Sequence, residues 1–221
     1  MKWINFDAKK PSPINEKFID ETIRIILEKR KLSGKTDIVN FVNNELIKYE
    51  QGNVVNLNKI IAIDIFKPEE IDITPYESCI DLFRNWLSKQ EFNFNETSEN
   101  LKKIIASDFS NYAIKVYGTR GYKLLDNLIE INGMKIAIEI ELSINIGNGY
   151  FSLLEAIKQN KASFGIMIVP WTPKKSGQAD ESKGLDRADL LAEATDGKFP
   201  IIRLAIIREL DVMKIMKERY S

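Results

Sequence analysis

Two adjacent residues, Asn132 and Gly133, constrain this chain more than any others. Both tolerate positive φ, and the two-residue hairpin loop that matches strand twist needs positive φ at both of its positions. The stretch that follows, KIAIEIEL from Lys135 to Leu142, divides in steps of two. Ile136, Ile138, Ile140 and Leu142 fall on one face of an extended chain, and Lys135, Ala137, Glu139 and Glu141 on the other. With Asn132-Gly133 as the turn, the register follows. Ile131 faces Met134, Glu130 faces Lys135, and Leu128 faces Ala137. One step further sets Asp126 opposite Glu139, with Glu141 diagonal to it on the same face. Directly opposed side chains lie about 5 Å apart at Cβ, and like charges placed there repel. A divalent cation between the carboxylates relieves that repulsion. The plain alternative is the solvated outer face of a strand, which is the reading for the Glu130–Lys135 pair.

Composition narrows the chemistry. The 221 residues are 44% hydrophobic, enough for one substantial core, and one domain is expected across 1–221. Within it, 1–110 reads as mainly helical, 112–207 as the core that carries the acids, and 211–221 as a terminal helix. Lys plus Arg and Asp plus Glu both number 32, so the chain lacks the basic excess of a protein that coats nucleic acid indiscriminately. A nucleic-acid partner therefore requires basic side chains gathered on one surface. There is no histidine, which removes Ser-His-Asp and Cys-His catalysis and histidine metal sites. The single cysteine, Cys79, excludes an internal disulfide and a cysteine-based zinc site, and reads as a small core residue. What remains is Asp, Glu, Lys, Arg, Tyr and Ser, with a metal held by oxygen. No segment has the form of a signal peptide, and no apolar run approaches the roughly 20 residues of a membrane span. The expectation is a soluble, cytoplasmic protein.

Helices come first. Phe18, Ile19, Ile23, Ile26 and Leu27 recur at helical spacing between Asn15 and Lys31, and Thr36 is expected to cap a second helix to about Tyr49. Ile60 to Phe66 suits a short strand or a buried connection. Thr74-Pro75-Tyr76-Glu77 reads as a helix start with Thr as cap, and the helix carries Cys79, Ile80, Phe83, Trp86 and Leu87 inward. A short helix is expected from about Glu99 to Ala106. Strands are expected over Tyr112–Tyr117, Tyr122–Ile131 and Met134–Leu142, then a helix over Gly149–Lys161. Phe164–Val169 and Pro200–Ile207 are the apolar runs of strands buried on both faces. A helix over Asp211–Arg219 closes the chain. The class is α/β (α+β), with a central mixed β-sheet flanked by helices.

The order of these parts resembles the PD-(D/E)xK nucleases, in the BamHI- and BglII-like branch of type II restriction endonucleases. The resemblance lies in DNLIEINGMKIAIEIELSINIGNGYFSLLEAIKQNKASFGIMIVP, Asp126 to Pro170. An Asp, a hairpin, Glu-x-Glu, a helix and an apolar strand ending in Pro follow one another as in that group. Most of the superfamily has Lys where Glu141 stands, and this branch has Glu. A second similar stretch is GLDRADLLAEATDGKFPIIRLAII, Gly184 to Ile207, where Asp186-Arg187 holds the place of the family's base-reading Asp-Arg pair. The resemblance covers about residues 112–207. Only Asn145-Ile146 in the loop SINIGNG is similar to the family's recognition segment, and Leu125 stands where the motif's Pro would be.

The resemblance implies a Mg²⁺-dependent, sequence-specific endonuclease acting as a homodimer on a short palindrome in double-stranded DNA. It implies one or two Mg²⁺ ions per subunit, with Asp126 and Glu139 as ligands and Glu141 holding a second ion or orienting the attacking water. Arg187 suits guanine, Asp186 cytosine N4, and Asn145 adenine. Lys174, Lys175, Lys183, Arg120 and Lys123 are candidates for backbone phosphates. A helix cap is the plain reading of Asp186, and a solvated loop that of Lys174 and Lys175. Two other functions stay open: a repair or recombination nuclease of the same superfamily, and a non-catalytic DNA-binding protein on the same fold.

Overall fold

Residues 16–53, 55–66, 72–91, 97–112, 115–118, 121–141, 146–170 and 199–221 are described by the computed structural model of this chain. The helices are α1 (Glu16–Arg30), α2 (Lys35–Glu50), α3 (Glu77–Leu87), α4 (Thr97–Asp108), α5 (Ile146–Lys158) and α6 (Glu209–Tyr220). The strands are β1 (Ile60–Phe66), β2 (Lys115–Gly118), β3 (Gly121–Leu124), β4 (Asn127–Ile131), β5 (Met134–Ile140), β6 (Phe164–Pro170) and β7 (Ile201–Arg208).

Five strands form one mixed sheet in the order β1-β7-β6-β5-β4. Strands β5, β6 and β7 run parallel, and β4 and β1 flank them antiparallel. The two apolar runs, β6 and β7, take inner positions, because only a strand covered on both faces buries such a run completely. One face of the sheet presents Ile136, Ile138, Ile140, Ile166, Leu204 and their neighbours to Phe83, Leu87, Leu101 and Ile105 of α3 and α4. The other face presents Leu128, Ala137, Met167 and Val169 to Leu153 and Leu154 of α5. A third cluster joins α1, α2 and α6 around Val42, Ile207 and Met213. Cys79 is buried in the first of these clusters, as expected.

Local chemistry moves several boundaries. Helix α2 starts at Lys35 after Gly34, whose φ of 90° sets the chain's direction, so Thr36 lies inside the first turn and is not the cap. Thr74 is likewise no cap. It begins a 3₁₀ turn over Thr74–Tyr76, and its own N–H donates to Asp72 Oδ1 at 2.9 Å. Helix α5 starts earlier than Gly149 and ends at Lys158. Asn160 adopts φ 54°, its N–H bonds to Ile157 O, and Lys161 N–H bonds to Ala156 O, the paired closure that stops a helix. The expected strand Tyr122–Ile131 breaks at Leu125-Asp126. Its first part, β3, pairs only with β2 in a separate two-stranded ribbon, and its second part is β4. Ile60–Phe66 is a strand, so the first half of the chain contributes an edge to the central sheet.

The junction of β7 and α6 depends on a buried ion pair. Arg208 donates to both oxygens of Asp211, Nε to Oδ2 at 2.9 Å and Nη2 to Oδ1 at 3.0 Å, and Nη1 reaches Asn58 Oδ1 at 3.1 Å. Both ionic side chains are buried. Removing one member of such a pair leaves a charge in low dielectric, at a cost of about 3–5 kcal/mol. Asp211→Ala is therefore expected to lower unfolding stability by about that amount in urea denaturation, whereas Asp37→Ala on exposed α2 should change it by less than about 0.5 kcal/mol.

Candidate active site at the end of the central hairpin

Asn132 and Gly133 have φ of 53° and 78°, so both turn positions lie in the left-handed region. That geometry fixes the pairing as read from the sequence: Ile131 with Met134, Glu130 with Lys135, Leu128 with Ala137 and Asn127 with Ile138. Asp126 stands one residue before β4, and the same register continued sets it opposite Glu139.

The chain bends at Asp126, and its carboxylate does two things there. Oδ2 accepts the Ile140 N–H at 2.9 Å. A side chain thus supplies the acceptor that β5 needs beyond the end of β4. Oδ1 meets Lys102 Nζ at 2.9 Å, and the same ammonium lies 3.0 Å from Glu99 Oε1 on α4. Asn127 Nδ2 donates to the Lys102 carbonyl at 3.2 Å, tying the α4 backbone to the start of β4. Burial is the largest single influence on the Lys102 pKa and lowers it. The hydrogen bonds and charges of Asp126 and Glu99 together outweigh burial, so the net shift is upward and the ammonium stays charged.

Glu139 is completely buried, at 0% exposure. It follows Ala137 on the face that α5 covers, and its register partner on β6 is Met167. Met167 is in turn the partner of Arg203 on β7, also buried. A carboxylate and a guanidinium thus occupy one cross-strand row, two strands or about 10 Å apart at the backbone. The alternation that suggests a solvated glutamate face is real, but α5 lies over its Ala137–Glu139 stretch, so Glu139 is interior while Lys135 is exposed and Glu141 half-buried.

Glu141 follows β5 and donates its N–H to Ile168 O at 3.0 Å, continuing the ladder to β6. Its side chain lies against Gly149 in the first turn of α5. A Cβ at Gly149 would stand 2.5 Å from Glu141 Cγ and 3.2 Å from its Oε1, so the Glu141 side chain would have to shift to admit one. The glycine is what lets the positive end of the helix close over a carboxylate.

The three predicted acids thus share the carboxyl end of β5 and its border with β4. Their oxygens suit a hard divalent cation in donor type. Among the described residues, however, no three Asp, Glu or Cys side chains converge as a metal-binding group. The residue that the sequence did not flag is Lys102. Its only sequence signal is the pair Glu99 and Lys102 at helical spacing, which reads as a surface ion pair. Lys123 lies on β3, paired with Val116. Arg120, Asn145, Lys174, Lys175, Lys183, Asp186 and Arg187 lie outside the described residues.

The Gly149 contact has a measurable sign. Ala for Gly in a helix ordinarily adds about 0.5–1 kcal/mol, while forcing an extra carbon against packed atoms costs about 1–3 kcal/mol. Gly149→Ala is expected to destabilise the native protein yet stabilise the Glu141→Ala variant by about 0.5–1 kcal/mol. Equal effects in the two backgrounds, measured by denaturation, would show that Glu141 does not rest on Gly149.

No family model matches the chain, and neither a curated protein nor a solved structure matches it.

Proposed function

We propose that this chain is a Mg²⁺-dependent, sequence-specific DNA endonuclease of the type II restriction class, on a PD-(D/E)xK-like fold. The observation that carries the reading is the hairpin register. It brings Asp126 to the row of Glu139 at the carboxyl end of a central strand, with Glu141 two residues further on. Strands β5, β6 and β7 are parallel, and the carboxyl ends of parallel strands are where open α/β sheets bind their ligands. A helix whose first turn faces Glu141 follows directly. The order of Asp, hairpin, Glu-x-Glu, helix and buried strand, on which the resemblance rests, is also the order of the described elements.

In this reading Asp126 and Glu139 hold the ion, and Mg²⁺ asks for few carboxylates beside water and phosphate oxygens. The chemistry such an ion supplies is polarisation of the scissile phosphate and a water of lowered pKa. Glu141 cannot offset phosphate charge as Lys does in most of the superfamily. It orients the attacking water or takes part in a second metal site. Asp186, Arg187 and Asn145 read bases, and Arg120, Lys123, Lys174, Lys175 and Lys183 meet phosphates. A two-fold homodimer matches a palindromic site. Among the described residues no helix is long and apolar enough to cross a membrane.

Plasmid DNA incubated with the protein and Mg²⁺ is expected to yield discrete fragments, and chelation of the metal to stop the reaction. Glu139→Ala and the closer isostere Glu139→Gln should each lose cutting while duplex binding, measured by gel shift, persists. Undiminished cutting by a folded Glu139 variant refutes the assignment. A smear or structure-dependent cutting favours a repair or recombination nuclease. DNA binding with no Mg²⁺-dependent product favours a non-catalytic role.

A further inference from the structure

Asp126 already meets a cation, and that cation belongs to the protein itself. Lys102 Nζ sits 2.9 Å from Asp126 Oδ1. The other oxygen of Asp126 is committed to the Ile140 N–H. Oδ1 is the oxygen without that backbone bond, and the ammonium meets it. A divalent cation and an ammonium bound to one carboxylate oxygen repel each other strongly in a partly buried site. The Lys102 side chain is 26% exposed and that of Asp126 13%, so water screens the contact only in part.

The ammonium also has somewhere to go. It is already 3.0 Å from Glu99 Oε1, and the Glu99 side chain is 69% exposed on the first turn of α4. Lys reaches that partner by rotation of its own flexible stem, with no movement of the backbone.

We propose that Lys102 is a built-in counter-ion that holds Asp126 until a divalent cation exchanges with it, the ammonium withdrawing to Glu99. This rests on the reading of Asp126 as a metal ligand. Lys102 acts through Asp126 and is a positioning residue. It keeps the carboxylate aimed, and it sets the affinity that an incoming ion must exceed.

The test is Mn²⁺ binding to the full chain without DNA, measured by calorimetry or by the signal of free Mn²⁺ in electron paramagnetic resonance. Lys102→Ala and Lys102→Gln are both expected to bind Mn²⁺ more tightly, by roughly three- to tenfold, the scale of a partly exposed ion pair. Lys102→Arg keeps the competing charge and should stay near the native affinity. Asp126→Asn should lose the site. A residue with a merely structural role would weaken binding when removed. If Asp126→Asn loses binding but neither neutral Lys102 variant tightens it, the exchange is overturned and the ligand assignment stands. The exchange is also overturned if Lys102→Arg tightens binding as much as the neutral variants do, because charge is then not the competitor. If Asp126→Asn binds Mn²⁺ like the native protein, the ligand assignment falls and the exchange with it.

Discussion

Two consecutive residues in the left-handed region hold the β4–β5 register, and the arrangement of the sheet's end follows from it. A slip of one residue would turn every side chain of β5 to the opposite face. Ile136, Ile138 and Ile140 would leave the layer formed with α3 and α4, and Glu139 would enter it. The β4–β5 turn is thus tied to both layers, since Ala137 on the other face must also meet α5. The register decides where Asp126 stands as well. Because β4 stops one residue short of the Glu139 row, the Asp126 side chain, not its backbone, completes the bonding of β5 at Ile140.

The same end of the sheet concentrates charge where an apolar core would be more stable. Burying an ion costs several kcal/mol before its partners repay it. Glu139 lies fully buried between Ile138 and Ile140, and Arg203 interrupts the apolar run of β7 on the same cross-strand row. The contrast with Arg208 and Asp211 is instructive. That pair is bidentate, closes a strand-to-helix junction and has a plain structural use. Glu139 sets a carboxylate near the carboxyl end of β5 among apolar neighbours, and breaches of local rules in natural proteins gather at functional sites.

Much of this was legible in the sequence because it follows from short-range rules. The turn dipeptide gave the register, the apolar runs gave β6 and β7, and the spacing of Cys79, Ile80, Phe83 and Leu87 gave the inward face of α3. What stayed hidden depends on contacts between distant segments. Alternating Ile and Glu look the same whether the polar face meets water or a helix, so the burial of Glu139 required knowing where α5 packs. The contact of Lys102 with Asp126 joins residues on separate elements, and nothing near Lys102 marks it. The break between β3 and β4 was hidden because Tyr122 to Ile131 is β-prone throughout, and only the bend at Asp126 separates two sheets. The caps failed for a local reason. Gly34 takes the cap position ahead of Thr36, and Thr74 enters a 3₁₀ turn with its own N–H bonded to Asp72.

The three acids are therefore unequal in what can move. Glu139 is fixed within the sheet, with Met167 beside it and α5 above it. Glu141 lies where α5 begins, its stem against Gly149. Asp126 sits at a bend, and one of its oxygens meets the end of a flexible lysine. On the nuclease reading, adjustment to an incoming ion falls on Asp126 and Lys102, while the two glutamates supply a rigid frame. Among the described residues the carboxylates share one end of the sheet without converging as a metal-binding group.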